Sequence, residues 1–380
     1  MEEQRREDPP SVRHRCARVE MFSNHSRDRG SVMQVTTYGV DLAKRVFQVH
    51  WVEPDSGEVK RKMLARGEFA AFFARRSAGL VAMEACGSAH HWGRALQALG
   101  HQVRLIPTQF VRPFVKSNKT DAADAQAIWE AAQRPEMRFV ALKSELQQAV
   151  LGLHRVRGQL VKMRTMQANQ VRGLLYEFGV VVPRSWRALL AQAGPILAED
   201  TRCEVPELIR GELQQQLEGL RELTRRIEQL ERSIGTYRQQ DEQCRRIEAI
   251  PGVGPLSSTA VLATIGDART FRSGRQFAAF LGLVPRQSGT GGRVRLLGIS
   301  KRGDPYLRTL LIHGARAVVN HSSRPGRTPP QWLRELLSRR PKNVAIVALA
   351  NKIARTIWAL LAHGRTFDHS WGQAQPVSVA

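Results

Sequence analysis

TTYGVDLAKRVFQVHWVEPDSGEVKRKMLA, residues 36–65, divides into three short runs rich in β-branched and aromatic side chains. TTYGVDLAK, RVFQVHWVE and EVKRKMLA each have the length and alternation of a strand, and Pro54-Asp55-Ser56-Gly57 supplies a turn between the last two. Working outward, a short helix is predicted from Glu68 to Arg76, followed by the apolar strand GLVAMEA (79–85). A helix around His90 to Leu99, a strand from Gln102 to Ile106, a loop and a helix opening at Thr120-Asp121 complete the segment.

Three strands in a meander, then helix and strand in alternation, is the order of the RNase H-like fold. An α/β domain over residues 35–145 is therefore expected. Four carboxylates stand where that fold brings chain ends together: Asp41 in the first strand, Glu84 at the end of the fourth, and Asp121 and Asp124 in the first turn of a helix. An i, i+3 pair lies on one helical face, so Asp121 and Asp124 can aim at one point. Taken alone, that pair equally suits the positive end of a helix dipole. Asp41 and Glu84, however, sit among Val40, Leu42, Val81 and Met83, where an unpaired carboxylate costs several kcal/mol. Four converging acids require a cation, and hard, oxygen-loving Mg²⁺ fits them, two ions being able to clamp an in-line phosphoryl displacement.

Beyond this domain the texture changes. Leu146 to Tyr176 carries Arg155, Arg157, Lys162, Arg164 and Arg172 with no acid, and is read as a basic helix whose cations meet nucleic-acid phosphates, the alternative being a solvated face. Residues 207–240 form a second long helix. In it Ile209, Leu213, Leu217, Leu220, Leu223, Ile227, Leu230, Ile234 and Tyr237 recur at spacings of three and four, close to a heptad seam. With the Gly/Pro-containing connector 179–206, residues 146–249 are expected to form a coiled-coil helical arm. A mostly α-helical domain is expected over 250–368, with helices near Tyr306–Val319 and Asn343–Leu361. Residues 1–34 hold seven Arg, six acids and Pro9-Pro10 without hydrophobic period, and are read as a disordered leader. Met33 is a candidate alternative start, and 369–380 is a tail.

Charge narrows the function classes. The 380-residue chain has 58 Lys and Arg against 34 Asp and Glu, a formal net charge of +24. Such an excess points to polyanions, nucleic acid or an anionic membrane. The most apolar stretch, Val344 to Ala362, is interrupted by Asn351, Lys352 and Arg355, so no membrane span is expected and nucleic acid remains. The four cysteines, Cys16, Cys86, Cys203 and Cys244, are scattered without ligand spacing, and no signal peptide is apparent, so a cytoplasmic location is expected.

Two C-terminal features offer phosphate contacts. The Gly252-x-Gly254 turn before a helix could present backbone N–H groups to a phosphate, or be only a turn. From Phe271 to Arg308 the chain carries eight Lys and Arg against Asp304 alone. Within it Arg286-Gln287-Ser288-Gly289-Thr290-Gly291-Gly292-Arg293 reads as a glycine-rich loop bearing hydroxyls between arginines. Those hydroxyls either attack a phosphate or only grip one. Arg286, Arg293, Arg295, Lys301 and Arg302 are expected nucleic-acid contacts. His90, His91 and His154 have no partner spacing and are assigned no chemistry.

YGVDLAKRVFQVH, MEACGSAHHW, KSNKTDAADAQAI, IPGVGPLSSTAVLATIGD, RQFAAFLGLVPRQSGTGG and LLGISKRGDPYLRTLLIHGARAVV together resemble the DEDD transposases of bacterial insertion sequences, of the one-ten and eleven-eleven types, a family that includes the Piv DNA invertase. The resemblance covers about residues 36–368 and places the family's tetrad on Asp41, Glu84, Asp121 and Asp124. It implies a RuvC-like N-terminal domain and a C-terminal transposase domain carrying a nucleophilic serine, the two combining across protomers of a homo-oligomer, dimer or tetramer. It further implies RNA-guided recombination of donor and target DNA, directed by a structured bridge RNA from the element's own flank. Matching on Ser-Gly selects Ser288 as the nucleophile. Ungapped counting from Pro285 selects Thr290, and Ser300 is a distant third. Two other readings stay open: a RuvC-like junction endonuclease using metal-activated water, and a non-catalytic nucleic-acid-binding scaffold. A DEDD exonuclease is disfavoured because the first strand reads Asp41-Leu42-Ala43 rather than D-x-E.

Overall fold

A computed structural model describes residues 35–115, 120–198, 205–326 and 329–368. The leader 1–34 and the tail 369–380, with Cys16 and Cys203, lie outside the described residues. The described residues from Thr36 to Asp368 form one compact unit.

The unit opens with β1 (Thr37–Leu42), β2 (Val46–Val52) and β3 (Val59–Ala65), an antiparallel meander. After α1 (Phe69–Ala74) come β4 (Leu80–Glu84), α2 (Ala89–Ala98) and β5 (Gln102–Ile106). β4 runs parallel to β1 and β5 parallel to β4, giving the five-stranded order β3-β2-β1-β4-β5. This mixed sheet is compatible with an RNase H-like domain, as the sequence predicts. Side chains alternate across it. Tyr38, Val40, Val81 and Met83 join Phe69, Phe73, Ala89 and Leu96 of α1 and α2 in one core layer. On the other face, α3 (Thr108–Val111) and α4 (Asp121–Ala132) cover the sheet, with Ala127, Ile128 and Ala131 against Ala82 and Ile106.

Two long helices follow, α5 (Glu145–Glu177) and α7 (Glu207–Gln240), with α6 (Trp186–Ala198) between them. Arg157 meets Glu231 while Gln167 meets the Gln216 carbonyl, so α5 and α7 run antiparallel. The seam read from the sequence is the one buried: Leu213, Leu217, Leu220, Leu223, Ile227 and Ile234. α6 is a departure from the expected connector. Its Pro195 argues against a helix, yet Leu189, Ala193 and Leu197 pack with Val171, Leu175 and Leu213. Burial there outweighs the local penalty.

The C-terminal part contains α8 (Glu242–Glu248), α9 (Pro255–Ile265), α10 (Gly274–Phe280), the hairpin β6 (Pro285–Thr290) and β7 (Arg293–Ile299), α11 (Pro305–Ser322), α12 (Gln331–Arg339) and α13 (Lys342–His363). α12 was not expected, since its nine residues are too short for periodicity to show. By length and composition alone α13 could cross a membrane, but half of that stretch is buried within the chain. It is instead the central helix of this part: Ile346, Ala350, Ile353, Ala354 and Ile357 pack with Phe277, Leu281, Leu307 and Leu311.

Candidate active site

Asp41, Asp121 and Asp124 each offer a carboxylate oxygen, and these atoms lie within 4.8 Å of one another. The backbone explains the convergence. Gly39 and Asp41 share one face of β1, the face on which α4 lies, because strand side chains alternate. A Cβ on Gly39 would lie 2.4 Å from the Ala125 carbonyl oxygen and 2.6 Å from Trp129 Cβ, so only glycine lets α4 approach this closely. The Trp129 indole donates to the Thr37 carbonyl at 3.1 Å, tying the helix to the strand. At its start, the Thr120 hydroxyl caps α4 by accepting the Ala123 N–H at 3.3 Å. The first turn, with its two acids, is thereby fixed above Asp41.

Glu84 belongs to the same corner. β1 and β4 pair in parallel through Val40 and Met83, so Asp41 and Glu84 follow as the next residues on neighbouring strands, both on the α4 side. Glu84 is not one of the three converging acids. Its Oε1 accepts a hydrogen bond from Thr108 Oγ1 at 2.6 Å. Thr108, at the start of α3, carried no sequence signal; it follows β5 and only the fold brings it to Glu84. Burial, then the charges of Asp124, Asp121 and Glu84, push the half-buried Asp41 carboxyl up to about 6. An all-oxygen cluster whose members repel one another fits a hard divalent cation.

The hydroxyl segment is not the open loop that was expected. It is a two-stranded antiparallel hairpin turning at Gly291-Gly292, and β6 is exposed along its whole length. Ser288 is opposite Arg295 and Thr290 opposite Arg293, which puts two hydroxyls and two guanidiniums on one face. Neither hydroxyl has a hydrogen bond among the described residues. Ser300 is placed differently: its N–H donates to the Val284 carbonyl at 2.8 Å in the turn after the hairpin. Arg286, Lys301 and Arg302 are exposed nearby.

The basic helix divides. Arg155 and Lys162 are exposed. Arg157 instead bonds Glu231 through Nε at 2.8 Å and Nη2 at 2.6 Å. Arg164 lies over the Trp186 ring at 4.5 Å, and Arg172 donates to the Pro183 and Arg184 carbonyls. These three tie α5 to α7 and to residues 183–186. Gly252 likewise has a packing reason. Its φ is 93°, and a Cβ there would lie 2.9 Å from the Gly314 carbonyl oxygen in α11. Gly254 is the N-cap of α9.

Two of the histidines without motif spacing are held by hydrogen bonds inside the fold. Lys143 N–H donates to His90 Nδ1 at 3.2 Å. His154 is buried between Tyr306 Oη at 2.9 Å and Thr259 Oγ1 at 3.0 Å.

Sheet order and acid cluster together are compatible with a DEDD-type RNase H-like domain, a class that uses divalent metal. A DEDD transposase sequence model of the IS110 type matches residues 38–179, and the Transposase IS116/IS110/IS902 family model matches 244–329. The chain is 53% identical over 334 residues to the "Probable family 20 transposase" of Pseudomonas aeruginosa, covering 87% of this chain and 98% of that protein. It is 41% identical to the "Transposase for insertion sequence element IS1111A" of Coxiella burnetii, over 95% of this chain and 99% of that one. With the "Transposase for insertion sequence element IS1328" of Yersinia enterocolitica it shares 40% identity over 88% and 99% respectively. The chain belongs to the IS110 family of insertion-sequence transposases.

Proposed function

We propose that this transposase moves its own insertion sequence by site-specific DNA recombination guided by a bridge RNA. The observation that carries the reading is the convergence of Asp41, Asp121 and Asp124 within 4.8 Å at the end of β1. These three acids, bordered by Glu84, would hold Mg²⁺, two ions per site. A metal held there would supply charge neutralisation for a phosphoryl group under in-line displacement. Thr108 keeps the Glu84 carboxylate oriented, and Thr120 and Gly39 keep the first turn of α4 over Asp41.

Ser288 is the proposed nucleophile. Its Oγ attacks a DNA phosphorus, one P–O bond of the backbone breaks, and the departing DNA oxygen leaves as a hydroxyl end while the phosphate stays on the serine. Arg295, opposite it, faces the charge that builds up. Thr290 has the same hydroxyl beside Arg293, but its extra methyl restricts rotation and approach. The domain division 35–145, 146–249 and 250–368 follows these roles: acid site, arm and hydroxyl-bearing part. The arm is proposed as a coiled coil through which protomers associate into a dimer or tetramer. Its exposed cations Arg155 and Lys162, with Arg286, Arg293, Arg295, Lys301 and Arg302, would meet phosphates of guide RNA and of donor and target DNA in the bacterial cytoplasm.

Labelled DNA, guide RNA and Mg²⁺, resolved on a denaturing gel, test the reading. A covalent protein–DNA adduct is expected, lost in Ser288→Ala and kept in Thr290→Ala. The reverse result would assign Thr290, and an adduct in both variants would place the nucleophile outside the hairpin. Metal-dependent nicking with no adduct would favour a junction endonuclease, and no nicking at all a scaffold.

A further inference from the structure

The outer side of α13 carries a site that the proposed function does not use. Ala348, Asn351, Lys352, Arg355 and Ala359 recur at spacings of three and four, so they form one stripe, opposite the buried Ile346, Ile353 and Ile357. With the first turn of α10, at Ser273 and Arg275, this stripe lines a groove of about 680 Å³. Three cations line it, Arg275, Lys352 and Arg355, and no carboxylate does. The other polar groups are already engaged: Asn351 donates to the Leu283 carbonyl at 3.1 Å, and the Trp358 indole to the Ala268 and Phe271 carbonyls. Arg275, Lys352 and Arg355 form no ion pair among the described residues. Lys352 lies over the ring of Trp332, 4.3 Å from its centroid.

Cations placed side by side repel, and a fold has no stability reason to gather them in a concavity without acids. Burial and the Arg355 charge hold the Lys352 ammonium below its usual range, with no neighbouring acid acting in the other direction. An anion entering the groove would relieve that repulsion. The alanines at both ends keep the floor low, and the Trp358 ring is part of the lining. Cations interleaved with aromatic rings suit a single polynucleotide strand.

We propose that this groove seats the phosphodiester backbone of a single polynucleotide strand, held by Arg275, Lys352 and Arg355. The inference rests on the nucleic-acid reading above but concerns a surface separate from the acid cluster and the hairpin.

Fluorescence anisotropy of the full chain with labelled oligothymidylate and oligouridylate, over a salt series, tests it. Each phosphate contact on a single strand contributes about 0.7 to the slope of log affinity against log salt. The double variant Lys352→Gln/Arg355→Gln should therefore flatten the slope by about 1.4, with affinity falling about ten-fold at ~0.1 M salt. The charge-preserving Lys352→Arg/Arg355→Lys chain should keep the wild-type slope, which separates lost charge from lost fold. A flattened slope with oligouridylate alone identifies RNA as the occupant, and with both probes the shared phosphate chemistry. An unchanged slope with both strands overturns the proposal. Metal-dependent nicking measured on the same wild-type preparation keeps the two readings apart. Nicking with an unchanged slope removes the groove alone; a changed slope without nicking removes the catalytic reading and leaves the groove.

Discussion

Gly39 shows how one residue without chemistry can set the geometry of an acid cluster. Its missing side chain lets the Ala125 carbonyl sit where a Cβ would be 2.4 Å away, and that approach is what carries Asp121 and Asp124 to Asp41. Gly39→Ala is expected to destabilise the protein by about 1–3 kcal/mol, as overpacking does. Displacing α4 by even 1 Å should also lower metal-dependent nicking about 100-fold. Urea unfolding and a single-turnover nicking assay check the two parts, and wild-type rates in this variant would refute the positioning role. The acids themselves give the complementary result. Asp121→Ala and Asp124→Ala should each abolish strand transfer while polynucleotide affinity stays within about two-fold, since the proposed backbone contacts are cations and not these carboxylates. Recombination within a few-fold of wild type in either variant would remove that acid from the site.

At the scale of elements, α5 illustrates why a basic run is not one surface. Arg157 faces α7 and is paired with Glu231, with only 19% of its side chain exposed, whereas Arg155 and Lys162 face solvent. Arg155→Gln/Lys162→Gln should flatten the salt dependence of RNA binding, because fewer counterions are released. Arg157→Gln should leave that slope unchanged and instead cost stability. A double-mutant cycle with Glu231→Gln is expected to return a coupling of roughly 0.5–1 kcal/mol. If Arg157→Gln alters the slope as much as the exposed pair does, the division of the helix is wrong. The hairpin makes the same point for strands: pairing places Ser288 beside Arg295 and Thr290 beside Arg293, neighbours that chain order does not suggest.

Across the whole molecule, His154 joins α5 to α9 and α11. Thr259 Oγ1 gives its proton to the Pro255 carbonyl at 2.6 Å, so it accepts from His154 Nε2–H, and Nδ1 is left to accept from Tyr306. Burial, then the Arg157 charge, pulls this imidazole down to about 4 from 6.5. The unfolded chain therefore binds a proton that the folded chain excludes between those two pH values. Stability from this group is present above pH 6.5 and is lost as pH falls toward 4, by up to ~1.4 kcal/mol per pH unit. Urea midpoints measured from pH 7 to 4.5 should fall less steeply in His154→Gln. Parallel curves for the two proteins would show that His154 is not the linked group.

The sequence by itself determined the strands, their order and the acids. Period-two alternation and turn residues mark β1 to β5 because each strand is short and locally patterned. The long apolar seam of α7 is legible for the same reason, since nine residues at spacings of three and four leave one face to bury. The three aspartates were legible as candidates because carboxylates amid apolar neighbours, or paired at i, i+3, are costly or directed. Only the tertiary structure decided which partners those residues meet. Glu84 is held by Thr108, Arg157 is taken by Glu231, and Gly252 is set against Gly314, all through contacts between residues distant in the chain. It also turned a Pro-containing connector into α6 and gathered Arg275, Lys352 and Arg355 around one groove. Periodicity records which face of an element is buried, but the choice of neighbour is made by packing, and packing is a property of the whole chain.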